Sequence, residues 1–355
     1  MAEKVMVKGN EAMGEAAVRA GCRLYFGYPI TPQSELTEYM SRRLPEVEGT
    51  FLQSESEVAA VNMIYGAAST GTRVMTSTSS PGFSLMQEGI SYIAGAELPS
   101  VFINVVRGGP GLGDIQPAQS DYFQGTKGGG HGDYHLIVLA PSSVQEAVDL
   151  VQLAFDLADK YRNPVLVLAD GMLGQMMEPV EFPEFRDLNT LPDHSSWAMQ
   201  GCEGREPHKI TSFDIDPINL EKMNLGYQKK YREIEANEVR YETEMIEDAE
   251  YLLVGYGTMA RILGTVVKMA RNEGIKVGLF RPITLWPFPY KELESAAEGK
   301  KALLTVEMSM GQMVEDVRLA INGKMHVDFY GRTGGVVPTP EEVLRELKKI
   351  VERSE

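Results

Sequence analysis

Cysteine is scarce in this chain, which has only Cys22 and Cys202 among its 355 residues. A Cys₄ iron–sulfur or zinc site needs four thiolates, so the chain cannot build one by itself. Two cysteines this far apart in sequence also argue against a disulfide framework and fit a reducing compartment.

Long apolar runs and clustered positive charge are missing as well. No stretch approaches the roughly 20 apolar residues of a membrane span, and charged Glu3, Lys4 and Lys8 interrupt the first ten residues, where a signal peptide would need an apolar core. The net charge of −16 argues against nucleic-acid binding, because phosphate contacts need clustered Lys and Arg. We therefore expect a cytoplasmic protein with no membrane segment.

Histidines do not compensate for the missing thiolates. His131 and His135 have the i,i+4 spacing that could hold a metal on a helix, but Gly128–Gly130 and Gly132 make a helix there unfavourable. We expect no metal site in this chain.

The first 190 residues alternate between strand-like and helix-like stretches. Val101–Val106 is almost continuously apolar, as is typical of a strand buried on both faces. This alternation predicts an α/β fold with a doubly wound parallel sheet. The other predicted strands are Leu24–Phe26, Thr50–Leu52, Arg73–Thr78 and Pro164–Ala169.

After residue 190 the rhythm breaks and then resumes. Residues 191–245 predict a linker with a charged helix near Ile218–Glu244. A second, smaller α/β unit begins with the predicted strand Tyr251–Tyr256 and closes with a helix that Thr339 caps. We expect one domain over residues 1–190, the linker over 191–245 and a second domain over 246–355.

Polar groups follow three predicted strands of the first domain. They are the turn Tyr28–Pro32, the segment Ser54–Glu57 and Arg107. Ligands of open α/β sheets collect at the carboxyl ends of the strands, so a hydroxyl, a carboxylate and a guanidinium could meet there. Each also has an ordinary interpretation: Thr31 could cap a helix starting at Pro32, Glu57 could be a solvated first-turn acid, and Arg107 could form a surface ion pair.

Six segments, in this order and at these distances, resemble the α subunit of 2-oxoacid:ferredoxin oxidoreductases over essentially the whole chain. These are thiamine-diphosphate enzymes that decarboxylate a 2-oxoacid oxidatively onto coenzyme A. The segments are Tyr28–Pro32, Glu55–Glu57 with Gly66–Ala67, Thr76–Phe83, Arg107–Pro110, Gln119–Tyr122 and Val306–Gln312.

The resemblance implies a pyrimidine-type thiamine-diphosphate-binding domain followed by a transketolase C-terminal-like α/β domain. The diphosphate half of such enzymes carries Gly-Asp-Gly and a downstream Asn for Mg²⁺. Here the nearest match is Ala169–Gly171, with no such Asn. A β subunit is therefore expected to hold Mg²⁺ and the diphosphate, and partner subunits to hold the [4Fe-4S] clusters. Separate γ and ferredoxin-like δ subunits, with ferredoxin as acceptor, complete the expected hetero-oligomer.

The resemblance also assigns residue roles. Glu57 matches the carboxylate that binds N1′ of the aminopyrimidine, on a helix whose small-residue face, including Gly66, would pack beneath the cofactor. Glu55 is its rival, two residues away and on a different helical face. Thr31 and Arg107 match the groups that bind the 2-oxoacid. The same comparison places four more residues at the cofactor: Pro29, Ile30, Ser79 and Ser80.

One position departs from the family pattern. Ser80 stands where the family often has glycine, and glycine tolerates backbone angles that serine does not.

The substrate is less sharply indicated. The loop Gly111–Tyr122 resembles the branched-chain, 2-oxoisovalerate members, whereas a 2-oxoglutarate enzyme would need a further cation, for which Lys127 is the obvious candidate. Two other readings remain: the β chain of a 2-oxoacid dehydrogenase E1 component, which the Tyr28–Pro32 turn disfavours, and a non-catalytic scaffold.

Overall fold

The computed structural model describes residues 4–354 and shows an α/β protein with two large sheets and a two-stranded ribbon. Its strands are β1 (Val5–Lys8), β2 (Leu24–Gly27), β3 (Thr50–Gln53), β4 (Val74–Thr78), β5 (Ser100–Val106), β6 (Ile137–Leu139), β7 (Pro164–Asp170), β8 (Met177–Val180), β9 (Tyr241–Glu244), β10 (Tyr251–Val254), β11 (Val277–Pro282), β12 (Thr284–Trp286), β13 (Ala302–Glu307) and β14 (Val327–Gly331).

Helices connect most of these strands, and a 3₁₀ turn covers Leu188–Thr190. The helices are α1 (Gly9–Arg19), α2 (Ser34–Glu46), α3 (Glu57–Ala68), α4 (Ser80–Gly95), α5 (Tyr122–Thr126), α6 (Val144–Tyr161), α7 (Gly171–Gln175), α8 (Pro217–Asn237), α9 (Gly257–Asn272), α10 (Tyr290–Ala297), α11 (Met313–Ile321) and α12 (Pro340–Ser354). None of the helices within residues 4–354 is long and apolar enough to cross a membrane.

The seven-stranded sheet has the order β12-β6-β7-β5-β4-β2-β3. All neighbours are parallel except β12 with β6. Every residue of β5 and β7 is buried, which explains their continuous apolar runs. Helix α1 packs against α2 and α6, and α3 packs against α4. The predicted doubly wound parallel sheet is confirmed.

The five-stranded sheet has the order β14-β13-β10-β11-β9, with β9 antiparallel to β11. Leu253, Val267 and Leu347 bury one face of it beneath α9 and α12. The opposite face joins the main core through Leu252 and Leu303. We call this sheet with α9–α12 the C-terminal unit, and the seven-stranded sheet with α1–α6 the N-terminal unit.

One strand joins the two units directly. Strand β12 lies in sequence between β11 and β13 of the C-terminal unit, yet it pairs with β6 at the edge of the seven-stranded sheet. The predicted charged helix ends at Asn237, seven residues earlier than expected, and Tyr241–Glu244 forms β9 instead. Pairing with a distant strand explains the difference, because Tyr241 stacks on Phe280 at 5.2 Å between ring centroids.

Candidate functional site

The polar turns singled out in the sequence lie at one edge of the seven-stranded sheet. Strands β5, β4, β2 and β3 are consecutive neighbours and run parallel, so their carboxyl ends share that edge. The chain proceeds from β2 to β3 on one side and returns to β4 on the other. The edge between β2 and β4 is thus a topological switch point, where ligands of open α/β sheets bind.

Glu57 is a buried carboxylate without a partner. It is the first residue of α3, whose N-cap Ser56 accepts a hydrogen bond from the backbone of Ala59. Its side chain is 5% exposed and forms no hydrogen bond or ion pair with any residue in 4–354. The start of a helix favours negative charge, whereas burying an unpaired carboxylate is costly. The arrangement therefore fits a group that awaits a ligand. Glu55, by contrast, is exposed.

Gly82 packs directly against the Glu57 carboxylate. A Cβ on Gly82 would lie 2.5 Å from Glu57 Oε1 and 2.1 Å from the hydroxyl oxygen of Thr78. The hydroxyls of Thr78 and Ser79 are buried without hydrogen-bond partners within the described chain. The Glu57 carboxylate and the Thr78 hydroxyl thus crowd a position where only glycine fits without a shift.

Ser80 contacts the backbone of Arg107. Its hydroxyl accepts a hydrogen bond from Arg107 N at 3.1 Å and donates one to Arg107 O at 3.3 Å. Ser80 is the first residue of α4 and has no positive φ, so this turn does not require the glycine common in the family.

Arg107 is buried and held by main-chain carbonyls. Its Nη1 donates to Thr31 O and its Nη2 to Leu112 O, both at 2.9 Å, while Nε has no partner. Arg107 is 7% exposed and pairs with no carboxylate of the described residues. The surface ion-pair interpretation is therefore wrong, and the positive charge stays available to an anionic ligand.

Thr31 lies directly beside Arg107, in an exposed turn. Helix α2 begins at Ser34 with Gln33 as N-cap, so Thr31 does not cap it, and its hydroxyl has no partner in residues 4–354. Pro29 is exposed and Ile30 is half-buried.

Hydrogen bonds from neighbouring residues hold the turn that contains Thr31. The carbonyl of Pro32 accepts hydrogen bonds from Asn10 at 2.7 Å and Gln175 at 3.1 Å. Gln33 accepts hydrogen bonds from Ser77 and Thr37. The turn therefore presents Thr31 on a fixed backbone.

Asp121 was missed as a site residue, although its segment Gln119–Tyr122 was noted as a motif. Its carboxylate is buried and accepts a hydrogen bond from Asn104 at 2.8 Å. Burial raises its pKa, and the Ser80 hydroxyl and Asn104 amide oppose that rise. The motif alone carried the signal, because sequence does not show that Asp121 reaches Ser80.

One predicted feature of α3 differs from the structure. Gly66 was expected on a face packed beneath the cofactor, but it is exposed, and a Cβ there would meet nothing within 4 Å. Nine residues from Glu57 correspond to two and a half helical turns, which places Gly66 on the opposite side of α3.

The carboxylate of Asp170, in the Ala169–Gly171 segment, caps the start of helix α7. Its Oδ1 accepts hydrogen bonds from Met172 N at 2.9 Å and Leu173 N at 3.1 Å. Burial raises its pKa. Among residues 4–354, no group of three or more His, Cys, Asp or Glu is placed to hold a metal ion.

Family models match nearly the whole chain. Residues 15–244 match the pyruvate flavodoxin/ferredoxin oxidoreductase, thiamine-diphosphate-binding model. Residues 249–343 match core domain II of pyruvate:ferredoxin oxidoreductase.

Individual relatives point the same way. The ketoisovalerate oxidoreductase subunit VorB of Methanothermobacter marburgensis is 53% identical over 98% of this chain and 98% of its own length. The 2-oxoglutarate synthase subunit KorA of Methanothermobacter thermautotrophicus is 36% identical over 99% of this chain and 100% of its own.

Two solved structures have folds similar to that of this chain. The 2-oxoglutarate:ferredoxin oxidoreductase from Magnetococcus marinus, determined with 2-oxoglutarate, coenzyme A and succinyl-CoA bound, has a TM-score of 0.88 and 26% identity. The match covers 99% of this chain and 66% of that one. An inactive split-gene transketolase tetramer, 14% identical with a TM-score of 0.62, shares the fold alone. The chain therefore belongs to the 2-oxoacid:ferredoxin oxidoreductases, as a subunit that carries their thiamine-diphosphate-binding domain.

Proposed function

We propose that this chain is the α subunit of a 2-oxoacid:ferredoxin oxidoreductase and supplies the pyrimidine half of its thiamine-diphosphate site. The observation that carries this proposal is Glu57, a buried carboxylate without a partner in residues 4–354, which packs closely against Gly82. Glu57 would hold N1′ of the aminopyrimidine, with Ser79, Pro29 and Ile30 nearby. When bound, the cofactor supplies the carbanion chemistry of decarboxylation. Glu57 would assist by hydrogen-bonding N1′ of the aminopyrimidine and so controlling the protonation of that ring.

Arg107 and Thr31 are proposed to bind the 2-oxoacid. A guanidinium pairs well with a carboxylate, and that of Arg107 is buried and unpaired with any acid in the described chain. Its bond to Thr31 O places the two groups side by side. Arg107 would hold the carboxylate, and the free hydroxyl of Thr31 would reach the same carboxylate or the carbonyl.

We favour 2-oxoisovalerate as the substrate over 2-oxoglutarate. A second substrate carboxylate would need another cation, and Lys127 was the candidate. Its ammonium group is already bound to Asp316, at 2.6 and 2.7 Å from the two carboxylate oxygens. The 53% identical relatives named for ketoisovalerate support the same choice over the 2-oxoglutarate relatives at about 36%.

The remaining parts of the enzyme are assigned to partners. We propose a β subunit that holds Mg²⁺, the diphosphate and an iron–sulfur cluster, together with γ and ferredoxin-like δ subunits, in the cytoplasm. Coenzyme A accepts the acyl group and ferredoxin the electrons. Val58 and Leu85, next to the site, are 46% and 53% exposed and fit a surface that a partner covers. The proposed second domain, residues 246–355, fits the family match over residues 249–343, whereas the first match, over residues 15–244, includes both the proposed first domain, residues 1–190, and most of the proposed linker, residues 191–245.

Replacing Glu57 in the reconstituted complex tests the proposal. We expect Glu57→Ala to lower the rate of 2-oxoisovalerate oxidation by roughly 100-fold or more, the scale of general acid–base catalysis. Glu55→Ala, a matched change at an exposed acid two residues away, should leave the rate within about twofold. If Glu57→Ala oxidises the substrate at the wild-type rate with thiamine diphosphate bound, the chain is a scaffold and not a catalytic subunit.

A further inference from the structure

The segment Pro117–Tyr122 lies between Arg107 and the C-terminal unit. Pro117 forms a β-bridge with Arg107, and Gly108 N donates to Gln116 O at 2.9 Å. Any displacement of this segment therefore reaches the backbone that carries the Arg107 guanidinium.

Gln119 attaches this segment to the C-terminal unit with all four of its polar groups. Its backbone N donates to Met308 O at 2.8 Å, and its Oε1 accepts from Met308 N at 3.0 Å. Its Nε2 donates to Tyr256 O at 2.9 Å, and its backbone O accepts from the Tyr256 hydroxyl at 3.2 Å. Gln119 is 2% exposed, so none of these bonds competes with bulk water.

The side chains of Gln312, the N-cap of α11, and Asp316, within α11, hold the residues that follow Gln119. The Gln312 amide donates to Ser120 O at 2.7 Å and accepts from Phe123 N at 2.8 Å. The hydroxyl of the fully buried Tyr122 donates to Asp316 Oδ2 at 2.6 Å. The backbone on both sides of Asp121 is thus fixed from the C-terminal unit.

Asp121 completes the connection to the substrate side. Its carboxylate lies beside the Ser80 hydroxyl. Ser80 in turn hydrogen-bonds both the N–H and the carbonyl of Arg107. The C-terminal unit therefore reaches the Arg107 backbone through the Pro117 bridge, and it also fixes the backbone on both sides of Asp121.

Other contacts hold the two units together. Arg281 forms two hydrogen bonds with Glu146, at 2.6 and 2.7 Å, and β12 completes the seven-stranded sheet. The bonds at residues 119–123 are not needed merely to keep the units associated. They converge on the loop segment whose Pro117 forms a β-bridge with Arg107.

We propose that Tyr122 and Gln312 are positioning residues for 2-oxoacid binding, through which the C-terminal unit sets the place of the Arg107 guanidinium. The inference rests on the proposed function of Arg107. A displacement of about 1 Å at a binding group is enough to lower the efficiency of an enzyme severely. A binding group held by a packed, hydrogen-bonded support keeps its place.

The chain offers a matched control for this proposal. The Tyr290 hydroxyl donates to the other oxygen of Asp316, Oδ1, at 2.5 Å. Tyr290 and Asp316 both belong to the C-terminal unit, so Tyr290→Phe removes a hydroxyl from the same carboxylate without touching the segment at Arg107. Tyr122→Phe removes a bond from Asp316 to the Pro117–Tyr122 segment and leaves the Lys127 bonds to Asp316 in place.

The test compares Tyr122→Phe, Gln312→Leu and Tyr290→Phe in the assembled complex, with Arg107→Lys as reference. We expect Tyr122→Phe and Gln312→Leu to raise the KM for 2-oxoisovalerate roughly three- to tenfold, with the KM for coenzyme A unchanged. Tyr290→Phe should leave both values within about twofold, although it loses a comparable hydrogen bond. A general loss of structure would move both KM values and would not distinguish the two tyrosines.

Two outcomes would overturn these ideas separately. If Arg107→Lys raises the 2-oxoacid KM while Tyr122→Phe and Gln312→Leu behave like Tyr290→Phe, the positioning role is wrong and the proposed function stands. If Arg107→Lys itself leaves that KM unchanged, the proposed role of Arg107 is wrong. If the Tyr122→Phe complex does not assemble, the KM values of Gln312→Leu test the positioning role instead, because the Gln312 side chain is half-exposed and its replacement disturbs packing less.

Discussion

Gly82 offers a sharp physical test of the site, because its replacement by alanine should disturb Glu57 directly. The added Cβ would lie 2.1 Å from the Thr78 hydroxyl oxygen and 2.5 Å from Glu57 Oε1. Real Cβ atoms do not approach other heavy atoms so closely, so a neighbour must move. Thr78 is buried in β4 and is β-branched, hence stiff. Because both contacts are too short, the start of α4 must shift away from Thr78, and the Glu57 carboxylate must move as well.

The size of the effect follows from two opposing contributions. Overpacking a tight site costs about 1–3 kcal/mol, and the close contact with a stiff strand residue argues for the upper half of that range. Gly82 lies in α4 without a positive φ, so alanine also gains up to about 1 kcal/mol of helix propensity. We expect Gly82→Ala to lower the free energy of unfolding by roughly 1–2 kcal/mol and to weaken thiamine diphosphate binding.

Gly66→Ala is the matched control. It makes the same chemical change in the neighbouring helix, but the new Cβ meets nothing within 4 Å and lies on the far side of α3 from Glu57. It should raise the free energy of unfolding by about 0.5–1 kcal/mol.

Urea denaturation of both variants would measure the stabilities, and calorimetric titration of the assembled complexes would measure cofactor affinity. If Gly82→Ala were as stable as Gly66→Ala and bound thiamine diphosphate as tightly as wild type, the crowded pocket described at Glu57 would be wrong.

Two further predictions concern the substrate group and pH. Arg107→Lys should raise the KM for the 2-oxoacid roughly 10- to 100-fold without changing cofactor affinity. The reason is that a single ammonium group cannot bind the Thr31 and Leu112 carbonyls and also a carboxylate in fork geometry. Steady-state kinetics with a cofactor titration would check this prediction, and an unchanged KM would refute it. Burial alone would raise the pKa of Glu146, but hydrogen bonds from Arg281 and Ser142 outweigh it and hold that pKa below the usual 4.5. A depressed carboxyl pKa contributes stability above the unfolded-state pKa, so wild type should exceed Glu146→Gln by roughly 1.5–3 kcal/mol at pH 7, and the difference should shrink as pH falls below about 4.5. A constant difference between pH 7 and pH 3.5 in urea titrations would contradict the assignment.

Local patterns predicted much of the N-terminal unit and the edge that carries the site. Continuous apolar runs located the buried strands, and polar residues directly after them located Thr31, Glu57 and Arg107. In a parallel sheet these positions converge because the carboxyl ends of neighbouring strands share one edge. Which acid faces inward was settled only in three dimensions, where Glu57 is buried and Glu55 is exposed.

Long-range pairing and missing partners account for what sequence did not predict. Strand β12 has only three residues, and its place depends on β6, far away in the chain. Tyr241–Glu244 was read as helix because its pairing strand lies more than 30 residues further on. Both Val58 and Val61 are apolar residues of α3, yet Val61 is buried and Val58 is 46% exposed. Periodicity cannot tell a face packed inside the chain from one left for a partner.

The four polar bonds of Gln119 were equally invisible in sequence. Glutamine at a loop position gives no sign that its amide will bond the backbones of Met308 and Tyr256, almost 190 and 140 residues away. The motifs around Gln119 and Gln312 were recognised separately, and only the structure brings them into one contact.

The central claim is that this chain holds half of a thiamine-diphosphate site, with Glu57 as its carboxylate, and needs a partner for the other half. Cofactor binding and 2-oxoisovalerate oxidation should therefore be measured for the purified chain alone and for the complex with its partner subunits. The account predicts tight binding and turnover only in the complex, and a large loss of both on Glu57→Ala. A cluster-free preparation of this chain alone that binds thiamine diphosphate tightly and oxidises 2-oxoacids would contradict it.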